Sequence, residues 1–171
     1  MKRTVIHSRP AAGFSLVELL AVLAIVGTLA AAIMPLGETM LAAQRERELR
    51  HALWEIRAAL DAYRHTAQTL GLVTDAAGAA SAAGASGYPP SLKALVDGLP
   101  DPRPQAQGQR IPFLRSIPRD PFADPALPPE ATWRLRSYAS PADRPEPGDD
   151  VFDVKSSSQA VGLDGSRHDS W

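Results

Sequence analysis

Few residues of this chain have types and spacings that could do chemistry, and one of them is oddly placed. Glu18 stands inside GFSLVELLAVLAIVGTLAAAIMPL, residues 13–36, where almost every other side chain is apolar. A carboxylate at the centre of a bilayer costs ~2.5–3.5 kcal/mol on insertion scales, and less near the interface. Such a residue is by default functional and needs a partner. The histidines offer no comparable pattern. His7 lies near the start, His51 and His65 share a helical stretch without an acid–base arrangement around them, and His168 is near the end. The chain has no cysteine, which excludes disulfides, cysteine-based zinc sites and thiol nucleophiles. No G-x-S-x-G elbow, phosphate loop or H-E-x-x-H helix occurs. The formal net charge of −1 gives no sign of a nucleic-acid binder.

The element that must position Glu18 is the apolar run itself. Residues 14–36 span roughly 35 Å as a helix, enough for a bilayer core. Ahead of it, residues 1–13 carry Lys2, Arg3 and Arg9 and no acid. The positive-inside rule keeps that end cytoplasmic and sends everything after Leu36 across the membrane. The apolar core is too long for an ordinary secretory signal, and no A-x-A site stands at its far end. The break in character is instead at Gly13, where basic leader meets apolar run. A plain signal anchor accounts for length and charge but leaves Glu18 unexplained.

Residues 37–70 continue as an amphipathic helix. Leu49, Leu53, Ile56, Leu60 and Tyr63 recur at helical spacing as one apolar stripe. Arg45, Glu48, Glu55 and Arg57 define the opposite face, and the run Arg45-Glu46-Arg47-Glu48 reads as solvated. The helix over 14–70 is expected to be interrupted or bent near Pro35. Residues 71–171 form a small head with Pro-rich loops. Within it, 71–87 is a small-residue loop, and a short helix around Leu92 to Val96 ends at Gly98. The stretch DPRPQAQGQ reads as a mobile connection. Residues 132–138 and 151–156 read as strands, with a shorter partner near Ala160 to Leu163. The fold class is α+β: a long N-terminal helix, half transmembrane and half amphipathic, packed on a small antiparallel sheet of two to four strands.

G-F-S-L-V-E-L-L resembles the class III signal of type IV pilins and of the pseudopilins of type II secretion. The resemblance implies cleavage between Gly13 and Phe14 by a prepilin peptidase, which also methylates the new amino terminus at Phe14. It makes Glu18 the fifth mature residue and places Pro35 at a position where the family commonly carries a helix-breaking proline. It also gives Glu18 a partner. In a filament of staggered helices, the amine of one subunit meets the Glu18 carboxylate of a neighbour, and each charge relieves the other's desolvation. The order of the head motifs, Tyr88 to Leu95, Leu114 to Phe122, Phe152 to Ser156 and Leu163-Asp164-Gly165, is similar to the major, G-type pseudopilin.

That resemblance implies a structural subunit of a periplasmic pseudopilus that helps export folded proteins across the outer membrane. Its partners would be further copies of itself in a helical filament, other pseudopilins, the prepilin peptidase and methyltransferase, and an inner-membrane secretion platform. The protein would sit in the bacterial inner membrane with a single pass, its N-terminus cytoplasmic and its head periplasmic. The resemblance also implies calcium in the C-terminal loop, with Asp164 and Asp169 as ligands. A type IV pilus or competence pilin is the nearer alternative. A signal-anchored periplasmic enzyme is the alternative of another class, and it leaves Gly13 and Glu18 without a role.

Overall fold

In this computed structural model the backbone is described for residues 13, 15–73 and 86–171, and side chains for the same residues except 32–38. Phe14 and the leader 1–12 lie outside the described residues, as does most of the expected small-residue loop, 74–85. The chain divides into two units, Met1–Leu41 and Ala42–Trp171. Helix α1, Leu16–Thr69, contributes its first part to one unit and the remainder to the other.

In the first unit, Leu16, Val17, Leu19, Leu20, Val22, Leu23, Ile25, Val26 and Leu29 are all 54–76 % exposed. They lie on every side of the helix, so the segment has no polar face to turn to water. Its few polar groups differ in how they are satisfied. The Thr28 hydroxyl donates back to the carbonyls of Ala24 and Ile25, at 3.1 and 2.8 Å. The α1 assignment continues through Pro35 without the interruption expected there. A proline inside a helix removes one backbone hydrogen bond, which a long helix tolerates when its other turns are intact.

In the second unit, α1 presents the predicted stripe to a core. Leu49, Leu53, Ile56, Leu60 and Tyr63 are each at most 2 % exposed, and Ala52, Ala59 and Ala67 widen the buried face. Tyr88, Leu92, Leu95, Leu99, Leu114, Trp133, Val151 and Val154 pack against them. Helix α2, Lys93–Asp97, stops at Gly98, whose φ of 76° suits glycine. A Cβ there would meet the Ile111 carbonyl oxygen at 2.5 Å.

The described residues of the head form two small antiparallel sheets rather than one. Strands β1, Leu99–Pro100, and β2, Arg110–Ile111, pair in the segment expected to be a mobile connection. Arg110 secures the pair by donating to the Gly98 carbonyl at 2.6 Å and the Asp97 carbonyl at 2.7 Å. Strands β3, Trp133–Arg136, and β4, Asp153–Ser156, pair in the register Trp133 with Ser156 and Arg136 with Asp153. They lie inside the expected ranges 132–138 and 151–156. The expected strand at 160–163 is reduced to one bridge between Val161 and Arg167. A single-turn 3₁₀ helix over His168–Ser170 then turns the chain away from further pairing.

Candidate functional site

Gly13 is exposed, and a Cβ built on it would meet nothing within 4 Å. The junction is therefore sterically open on the described side. Ser15 follows, and its carbonyl accepts the Leu19 amide at 3.1 Å, so helical hydrogen bonding begins at the junction. Glu18 lies in the first turn of α1, where a negative charge complements the helix dipole. Its side chain is exposed. The ion pairs found among the described residues all lie within Ala42–Trp171, so Glu18 has no ion-pair partner there. This carboxylate thus stands on a helix of exposed apolar side chains. Among the described residues no helix is long and apolar enough to cross a membrane. The apolar run of the sequence continues through residues 32–36, whose side chains are outside the described set.

The second candidate site is the tail. Asp164 accepts the Ser166 amide at 2.9 Å and the Ser166 hydroxyl at 2.6 Å, and pairs with Arg50 at 2.6 Å. These hydrogen bonds and the Arg50 charge hold its carboxyl below the usual range, Ser166 contributing most. Asp169 is lowered in the same way, chiefly by hydrogen bonding from Arg167, which it pairs with at 2.8 Å. Each of the two expected calcium ligands is therefore already neutralised by its own guanidinium. Among the described residues no group of three or more His, Cys, Asp or Glu side chains is placed to hold a metal. Calcium takes six to eight oxygens, and the Asp164 and Asp169 carboxylates are each turned toward a guanidinium.

What holds the tail is a set of residues that the sequence placed on a solvated face. Glu46 is buried, and its Oε1 accepts the Leu163 amide at 2.7 Å. His168 is 2 % exposed, between the rings of Phe122 and Trp171, with Nε2 facing Glu46 at 4.0 Å. Arg57 donates to Asp153 at 2.8 Å, to the Val154 carbonyl at 3.0 Å and to the Trp171 carbonyl at 2.9 Å. One arginine of α1 thus ties β4 and the tail to the helix. Glu46 lies three residues before Leu49, in step with the apolar stripe, and that spacing was the signal for its burial. Arg57 borders the same stripe.

Asp120 is the other residue the sequence did not mark. It is fully buried, between Pro118 and Pro121 in the chain. It accepts the Phe122 amide at 2.8 Å and the Ser156 hydroxyl at 2.6 Å, so it fastens this turn to the end of β4. His51 and His65 are exposed on α1, and neither joins an acid–base set.

Residues 8–34 match the family described as the prokaryotic N-terminal methylation motif. Comparison with curated proteins and with solved structures gives no match. The motif points to a structural subunit, and it implies processing by a prepilin peptidase and assembly with other pilin subunits. The chain carries the prepilin signal of type IV pilin-like proteins, and its long N-terminal helix followed by small antiparallel sheets is an α+β arrangement consistent with a pilin-like fold.

Proposed function

We propose that this protein is a major pseudopilin-like subunit of a type II secretion pseudopilus. It polymerises through its N-terminal helix and helps export folded proteins across the outer membrane. The observation that carries this reading is the carboxylate of Glu18 on an apolar helix, inside the stretch 8–34 that matches the methylation motif. Cleavage after Gly13 frees an amine at Phe14. In a stack of parallel helices, the amine of one subunit neutralises Glu18 of the next, which fixes the register between them. Until then the precursor rests in the inner membrane on residues 14–36, with its head in the periplasm. The apolar side chains exposed over 16–29 are then covered by lipid before assembly and by other subunits after it.

The head motifs support the secretion reading over a pilus or competence reading, because their order is similar to that of the major pseudopilin. The assay is removal of the protein from its host. Loss of exported proteins from the medium, with surface fibres and DNA uptake unchanged, is the expected outcome. Unchanged export with loss of fibres or of DNA uptake would assign the subunit to a pilus instead. Mass spectrometry of membrane-extracted protein should find a chain that starts at an N-methylated Phe14. An intact leader in a host with a working peptidase would remove the whole reading.

A further inference from the structure

The outer face of the β3–β4 pair carries charge that the head does not use. Trp133, Val154 and Ser156 are buried on one side of this pair. Strand alternation therefore puts Arg134, Arg136, Asp153 and Lys155 on the other. Arg134 stands directly opposite Lys155 in the register, and like charges at opposed positions destabilise a strand pair. The carboxylates at hand are already taken, Asp153 by Arg57 and Asp169 by Arg167, each at 2.8 Å. Arg134 and Lys155 act on Asp169 only at longer range. Among the described residues neither side chain makes a hydrogen bond or an ion pair. Cations stay in excess even when two bordering acids are counted. These are Asp61, which shares a groove with Phe152 and Asp153, and Glu130, just ahead of β3.

The connection between β3 and β4 carries the opposite surplus. PADRPEPGD, residues 141–149, holds Asp143, Glu146 and Asp149 against the single base Arg144. All four are exposed, and none forms an ion pair among the described residues. The segment is nonetheless held in place. The Ser137 amide donates to the Glu146 carbonyl at 2.9 Å, and the Tyr138 amide donates to Asp150 at 2.8 Å. Gly148 passes so close to Ser137 that a Cβ there would meet the serine Cβ at 2.8 Å. A segment restrained in this way has less freedom to lose on binding.

Both surpluses belong to one sheet, yet one copy does not bring them together. Asp149 precedes Lys155 by six residues, at most ~20 Å of extended chain. A second copy displaced by a distance of that order meets the first with the opposite charge. We infer that residues 141–149 of one copy dock on the Arg134–Lys155 face of the next. The contact joins two different surfaces, so it repeats from copy to copy without closing. This inference rests on the filament reading and adds to it a charged contact between heads, which fixes their register.

The chain has no native cysteine. Full-length protein carrying Ala142→Cys and Ser157→Cys, both exposed positions, is produced with the prepilin peptidase and treated in membranes with a short bismaleimide. A ladder of covalent multimers is expected, and either single-cysteine variant should remain monomeric. Arg134→Glu with Lys155→Glu should cut the ladder about tenfold or more, because like charges then meet. Adding Asp143→Lys and Glu146→Lys should restore it. Sodium chloride at about 1 M, where the screening length is ~3 Å, should weaken the native ladder in the same way. Neutralising the segment alone, by Asp143→Asn, Glu146→Gln and Asp149→Asn, should also remove the ladder. That variant leaves the strands untouched, so it decides the matter if thermal melting shows that the strand reversals impair folding. A ladder indifferent to salt and to both sets of variants would overturn the inference. Dimers from Ser157→Cys alone would mean a face-to-face contact and overturn it as well. Filaments visible by electron microscopy without a ladder would reject the docking and leave the filament reading intact. Absence of both would reject the two together.

Discussion

Replacement of Glu46 by alanine separates the tail lock from an ordinary surface charge. The Leu163 amide donates to this carboxylate at 2.7 Å from 117 positions away, and the side chain is only 11 % exposed. Truncation leaves a backbone N–H without its acceptor in a place that Trp171 and Gly162 keep narrow. A charge-assisted bond of this kind contributes about 1.5–3 kcal/mol. An unfolding entropy of ~2.1 cal/mol/K per residue over Ala42–Trp171 converts 1 kcal/mol to roughly 3–4 °C. Melting of fragment 42–171, followed by circular dichroism, should therefore fall by about 5–10 °C. Glu46→Gln keeps an acceptor oxygen and should lose less. Glu48→Ala is the control: that residue is exposed and bonded only to Gln44, so its effect should stay within about 2 °C. Equal melting of the Glu46 and Glu48 alanine variants would refute the lock.

Gly13→Trp should block processing, read as a leader retained on immunoblots, because the cut needs a small residue at the junction. Glu18→Ala should be cleaved normally yet assemble poorly, and filaments at normal yield would remove the register role given to Glu18. Chelator and added calcium should leave the melting of fragment 42–171 unchanged, since Arg50 and Arg167 already neutralise Asp164 and Asp169; a chelator-sensitive melt that Asp164→Ala abolishes would restore the ion. The carboxyls of Asp164 and Asp169 are lowered on folding, so their contribution is present above the ordinary carboxylate range, near pH 4, and fades as pH falls below it. Melting temperature should accordingly drop on acidification through that window, and Asp164→Asn should blunt the drop.

The parts of this chain that repeat were the legible ones. The stripe from Leu49 to Tyr63 announces a buried helix face because each member repeats the same spacing, and every member is buried. Gly98 announces the end of α2 because few other residues adopt its φ. Glu46 and Arg57 broke the rule that charge means solvent. Glu46 is buried against the distant Leu163 amide, and Arg57 is half-buried because Asp153, Val154 and Trp171 meet it. Periodicity holds no information about such partners. Strands β1 and β2 are two residues each, too short for alternation to register, and an arginine bonding to carbonyls holds them more than any apolar pattern does. At the N-terminus the motif over residues 8–34 was legible because a charge inside an apolar run and a glycine at its border are local events.

The lock on the tail also orders the way the head is made. Glu46, Arg50 and Arg57 emerge from the ribosome about a hundred residues before the groups they bind. Joining ends so far apart costs loop entropy that grows as ~(3/2)RT ln n, and contacts of such long range form late. For most of its synthesis the helix therefore carries a buried-type carboxylate and two arginines with nothing to bind. The last dozen residues convert that open face into a closed one. A subunit clipped before Leu163 would thus leave Glu46 without the Leu163 amide and Arg50 without Asp164, beside the apolar stripe.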